Sequence, residues 1–207
     1  KELTAAIKNG YLDEASYEAW SNDYAVFVSE KLAPVWKQAM AAASAGKMEE
    51  HPGYIFDPQH KGVRDWITEH GAEWVTRVSD EQRQAMSVLI RRAAETGQSA
   101  DALSRAIRPC IGLTERDASA NFRLYQRTKA NLLQNNPKMK TATAEKKARE
   151  TAARYAAKQH RRRAYDIATT ELAFAYNKGA REGILQAQEQ GFIGTVTALS
   201  LIHISEP

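Results

Sequence analysis

Residues Thr143 to Gln190 read TAEKKARETAARYAAKQHRRRAYDIATTELAFAYNKGAREGILQAQEQ. The stretch contains no proline, and alanine, arginine, glutamate and glutamine dominate it, so helical propensity runs from end to end, weakened only at Gly179 and Gly183. Alternating β-branched runs are almost absent before the last dozen residues. The predicted fold class is therefore mainly α: an elongated multi-helix assembly with a long C-terminal helix.

Working back from that helix, Pro137 to Thr143 is a lysine-bearing hinge, which divides the chain into an N-terminal helical region, residues 1–137, and a basic C-terminal portion, residues 138–198. Before the hinge, Thr114 is placed to cap a helix that presents Ala118, Phe122, Tyr125 and Leu132 on one side and stops at Asn135-Asn136-Pro137. Ser99 is expected to cap a shorter helix that Pro109 ends. Ser79-Asp-Glu-Gln82 has the form of a capping box and predicts a helix start, with Met86, Leu89, Ile90 and Ala93 as its buried stripe and Gly97 as its stop. Asp57-Pro58 predicts an earlier start that buries Trp66, Ile67, Trp74 and Val75. Residues 13 to 45 carry apolar side chains at three-four spacing, including Tyr17, Trp20, Tyr24, Trp36 and Met40, with a kink or restart expected near Pro34.

With 43% hydrophobic and 26% charged residues, the chain can bury a core. No run approaches the roughly 18 to 20 apolar residues that a membrane span needs. The single cysteine, Cys110, excludes an internal disulfide and any multi-cysteine metal site in this sequence, and reads as a small buried apolar residue. The histidines at 51, 60, 70 and 160 form no HxxxH or HExxH pair, and GxxxxGK, GxGxxG and GxSxG are all absent. Neither a metal nor a cofactor is expected, and no catalytic residue is assigned.

Charge is distributed unevenly. Between Lys138 and Arg163 ten lysines and arginines face two carboxylates, a local excess of +8 within a net charge of +4, so the remaining residues sum to −4. Lys146, Lys147, Arg154, Lys158, Arg161, Arg162 and Arg163 are the candidate nucleic-acid contacts, because such side chains neutralise phosphates whatever the base sequence. The competing reading is a solvated helix face, since Arg161, Arg162 and Arg163 point in three directions about 100° apart. Further along, Glu171 sits at the margin of an apolar stripe. It is read as a paired carboxylate that orients neighbouring helices, with Arg163 or Lys178 as its possible partners, because no spacing supplies a second catalytic group.

Val75 to Tyr125, VTRVSDEQRQAMSVLIRRAAETGQSADALSRAIRPCIGLTERDASANFRLY, followed by HRRRAYDIATTELAFAYNKGAREG from His160 to Gly183, resembles the phage head morphogenesis (minor head, Mu F-like) family. Three features carry the resemblance: a turn at Gly97 and Ser99, the Ile107 to Thr114 turn containing Gly112, and a helix bearing Arg163, Ile167, Ala168, Thr170, Glu171, Ala175, Asn177 and Gly179. It covers about half of the chain. The resemblance implies a minor capsid protein at the capsid interior or portal vertex, passing through the host cytoplasm during assembly. It also implies portal or capsid proteins as partners, possible contact with double-stranded DNA, and no membrane partner and no enzyme activity.

Family members usually carry arginine where this chain has Thr169, so an ion pair expected there is either missing or supplied by Arg163. The resemblance further implies a small α/β portion after the helix, with Gly194-Thr-Val-Thr197 as the start of its first strand. Leu199 to Pro207, LSLIHISEP, looks like a translated sequencing adapter and is expected to be non-native. Two other readings remain open: a sequence-independent nucleic-acid-binding helical protein, and a helical fragment of a phage-associated effector or toxin.

Overall fold

The computed structural model describes residues 14–49, 51–94, 104–106 and 108–194. These residues are mainly helical, with no strand among them. In chain order they form α1 (Glu14–Phe27), a π-helical turn (Val28–Leu32), α2 (Ala33–Lys47) and α3 (Lys61–Ala94). A helical turn at 104–106 and a 3-10 turn (Arg108–Cys110) precede α4 (Glu115–Asn135) and α5 (Thr141–Glu189). The expected side chain of Ala93, the stop at Gly97, the cap at Ser99, the strand at 195–197 and the segment 199–207 lie outside the description.

The restart near Pro34 is present, and the π-helical turn marks where it occurs. Proline has no N–H to donate and its ring clashes with the carbonyl four residues back, here that of Glu30. The wider turn at Val28–Leu32 absorbs the mismatch, and Pro34 then sits in the first turn of α2, where its missing donor costs nothing.

Two predicted helix starts are corrected. Ser79 to Gln82 begins nothing, because α3 runs through it without interruption. Ser79 and Gln82 are buried, 1% and 3% exposed, on the same inward face as Ala85, Met86, Leu89 and Ile90. Burying those apolar side chains, at about 1.5–3 kcal/mol for each large one, outweighs a cap worth about 1 kcal/mol. The Ser79 hydroxyl has no hydrogen-bond partner among the described residues, while Gln82 Oε1 accepts from the Tyr24 hydroxyl. The start at Asp57-Pro58 moves to Lys61. The Gln186 side-chain amide explains the shift: its Oε1 accepts from Asp57 N at 2.7 Å and its Nε2 donates to Asp57 O at 3.1 Å, holding Asp57 in a turn.

The chain divides into two compact units, Lys1–Lys31 with Glu69–Thr170 and Leu32–Thr68 with Glu171–Pro207. In the first, the core joins Met86, Leu89 and Ile90 of α3, Phe122 and Tyr125 of α4, and Ala148, Ala152 and Ala156 of α5. The Thr114 side chain accepts from Asp117 N at 3.3 Å and starts α4 as expected, and the buried stripe Ala118, Phe122 and Tyr125 follows. The alanines recur every four residues on α5, and their small side chains let the backbones approach. Asn121 uses that closeness: its Nδ2 donates to Ala152 O at 2.9 Å and to Gln159 Oε1 at 3.1 Å. Gln159 Nε2 in turn donates to Asp117 O at 3.0 Å. On α1, the rings of Tyr24 and Phe27 pack on Trp74 with centroids 6.0 and 5.9 Å away.

Cys110 is fully buried, and that burial pushes its thiol up to about 12. Gly112 follows at φ +83°, a left-handed conformation that favours glycine.

In the second unit Trp36, Met40, Ala43 and Ser44 of α2 are buried, and the Trp36 ring meets Trp66 edge-on at 5.6 Å. Gly179 and Gly183 of α5 lie directly against α2. A Cβ at Gly179 would come within 2.2 Å of the Met40 Cα, and one at Gly183 within 2.3 Å of the Ser44 Oγ. Close by, the buried Glu182 carboxylate is bonded by Lys178 Nζ at 2.8 Å, with His60 Nδ1 at 3.7 Å. A Cβ at Gly62 would be 2.2 Å from Glu182 Oε2, so glycine there makes room for the carboxylate.

Two outcomes are expected. Gly179→Ala gains about 1 kcal/mol of helix propensity, but it drives a methyl group into backbone that cannot give way, at about 1–3 kcal/mol or more. Urea denaturation should therefore show a net loss of stability, and an unchanged or raised midpoint would contradict the packing. Cys110 should resist iodoacetamide at pH 8 in the folded protein and react once urea unfolds it. Its raised value means that the stability due to the neutral thiol is complete below the ordinary thiol range and is lost as pH climbs toward 12.

Candidate nucleic-acid interface

Helix periodicity sorts the seven cationic candidates of α5. Lys147, Arg154, Lys158 and Arg161 stand at i, i+7, i+11 and i+14. At 100° per residue they fall within about 60° of one another, spread over about 21 Å of helix. This face lies away from the alanine stripe, and all four side chains are exposed. None of them has a carboxylate partner among the described residues. Tyr165, 72% exposed, continues the same line four residues on. Lys146 and Arg162 are also exposed but lie on the two flanks of the face.

Arg163 is placed differently. Its side chain is 17% exposed, and its Nη2 donates to Glu81 Oε2 at 2.5 Å, tying α5 to α3 within the first unit. A guanidinium held by a carboxylate at that range is already neutralised, so Arg163 belongs to the packing and not to the outward face. The periodicity thus resolves the three consecutive arginines. Arg161 faces outward and Arg163 inward, while Arg162 lies between them with a loose pair to Asp166 at 3.8 Å.

The motif residues of the resemblance separate in the same way. Glu171 and Gly179 point inward, at 3% exposure for Glu171, whereas Thr170 and Asn177 are exposed. Arg163 and Lys178, considered as partners of Glu171, bond Glu81 and Glu182 respectively. Thr169 donates its hydroxyl to the Tyr165 carbonyl at 2.9 Å and is exposed.

Three arginines that the sequence reading did not select join the basic surface. Arg116, Arg123 and Arg127 are exposed on α4 and stand at i, i+7 and i+11. Arg116 and Arg123, with Tyr155 and Arg162 of α5, line a groove of about 620 Å³, and Arg123, Arg127 and Tyr155 line an adjoining one of about 630 Å³. The signal was the arginine spacing itself, which places all three on one side of the helix.

Among the described residues no cluster of histidine, cysteine, aspartate or glutamate could hold a metal ion. No helix among them is long and apolar enough to cross a membrane. No family model matches the chain, and no curated protein or solved structure matches it either.

The Arg163–Glu81 pair should be measurable. A double-mutant cycle with Arg163→Gln and Glu81→Gln, read by thermal denaturation, is expected to give a coupling of about 1 kcal/mol, above the usual value for an exposed pair because Arg163 is largely shielded. A coupling near zero would return Arg163 to the free cations.

Proposed function

We propose that this chain is a phage minor head protein that acts in capsid assembly at the capsid interior or portal vertex. In this role it touches packaged DNA through the outward face of α5. The role is structural, with no catalytic step. The observation that supports it most directly is the exposed line of Lys147, Arg154, Lys158 and Arg161, which leaves four cations free on one face of a 49-residue helix. The phage assignment itself rests on the residues of the resemblance, with portal or capsid proteins as the protein partners.

Contacts of this kind address phosphates and carry no base information, so affinity is expected to be indifferent to sequence. The log of affinity should fall with the log of salt by about 0.9 per phosphate contact, or about 3.6 units for four contacts. The same face also supports the second reading, a sequence-independent nucleic-acid-binding helical protein that works outside a capsid.

Titration of duplex DNA against the full chain tests the DNA contact. Replacing Lys147, Arg154, Lys158 and Arg161 with glutamine should abolish most of the salt slope and preserve helicity, since glutamine has a similar helix propensity. Absence of duplex binding at low salt would remove the DNA contact. Co-sedimentation with portal or capsid proteins encoded beside this gene separates the two readings, because only the head protein is expected to associate with them.

A further inference from the structure

The outward face of α5 leaves the groove between α4 and α5 unexplained. We propose that this groove binds a single strand of nucleic acid. Arg116, Arg123, Arg127 and Arg162 hold its phosphates, and one base stacks on Tyr155. The proposal shares with the reading above only the class of partner; the site and the form of nucleic acid are different.

The geometry of α4 comes first. Arg116 and Arg127 are separated by about 16 Å along the helix, with Arg123 between them on the same side. Three like charges in a row suit a linear polyanion better than a single phosphate ion. Ala120 and Leu124, half-buried between the arginines, give the groove an apolar floor. Across from them α5 contributes Tyr155, 39% exposed, and Arg162 seven residues on along the same face. A cationic groove with an aromatic ring on its wall is the arrangement that single strands use, since every base offers a face for stacking.

The charges give the second argument. Arg116, Arg123 and Arg127 have no carboxylate partner among the described residues. Two acids line the groove, Asp117 and Asp166, and Asp166 lies 3.8 Å from Arg162. Arg123 and Arg127, four residues apart, repel each other on the helix surface. The hydrogen bonds and buried rings that join α4 to α5, through Asn121, Phe122 and Tyr125, lie on the other side of α4. No ion pair among the described residues therefore offsets the repulsion of these arginines, whereas an anionic backbone would relieve it.

Width decides between a strand and a duplex. Packed helices have axes about 8–10 Å apart, and here the alanines of α5 and Asn121 hold the pair together. A cleft over such a pair admits one strand. A duplex, wider than the roughly 12 Å major groove that it carries, does not enter such a cleft.

The test uses the full chain, a fluorescently labelled oligothymidylate of about 12 nucleotides and a duplex of the same length, at low salt. The Arg123→Gln/Arg127→Gln variant is expected to weaken strand binding at least tenfold and leave duplex binding within twofold. Tyr155→Ala should weaken the strand by roughly tenfold through lost stacking, and Tyr155→Phe should restore it. The variant with glutamine at the four outward positions of α5 should do the reverse, losing the duplex and keeping the strand. All the substituted side chains are exposed, and circular dichroism confirms that each variant is folded. No binding of the strand by the unmodified chain overturns the groove site, whatever the duplex does. So does a strand affinity unmoved by the arginine pair or by Tyr155→Ala, and so does equal loss of strand and duplex in the groove variant. Strand binding by the unmodified chain with no duplex binding leaves the groove standing and counts against the outward face.

Discussion

The closeness with which α5 can approach its neighbours governs most of what the structure does, and that closeness depends on small side chains. In the first unit Ala148, Ala152 and Ala156 bring the α5 backbone within reach of a side chain on α4. Asn121 can then donate to the Ala152 carbonyl, a group already engaged within its own helix but with a second lone pair to offer. A leucine in place of Ala152 would separate the helices and strand the buried Asn121 amide, at a cost of about 1–3 kcal/mol on top of the strain. In the second unit the same role falls to Gly179 and Gly183, where even a methyl group is too large.

That principle explains what could and could not be read from the sequence. Helical signals that need no tertiary context were legible: the Thr114 cap, the stop at Asn135, the unbroken run into Glu189 and the restart at Pro34. Signals that compete with packing were not. Ser79-Asp-Glu-Gln82 has every local feature of a helix start, yet its serine and glutamine fall on the inward face of a longer stripe, and burial won. Asp57 likewise looked like a cap until Gln186, distant in sequence, took its backbone groups. A capping motif describes what a helix end wants and is silent about whether an end occurs.

The candidate interface was legible in the same partial way. Composition located the cationic excess on α5, and spacing alone can pick out Lys147, Arg154, Lys158 and Arg161 as one face. What composition could not reveal is which cations are already spent. Arg163 looks identical to Arg161 in sequence but is consumed by Glu81, and Lys129 is consumed by Glu145 at 2.8 Å with both side chains largely buried. The groove was harder still, because its two walls come from α4 and α5 and its arginines are interspersed with the residues that build the core.

Four acids of the first unit are committed to contacts between its helices. Glu81 holds Arg163, Glu145 holds Lys129, Glu14 reaches Arg83 at 3.5 Å, and Asp80 accepts from the Tyr17 hydroxyl at 2.6 Å. Each of these pairs joins different helices, so these four carboxylates fasten the structure. The outward face of α5 and the α4 groove keep the surplus. Both surfaces use α5, with Arg162 of the groove next in sequence to Arg161 of the outward face.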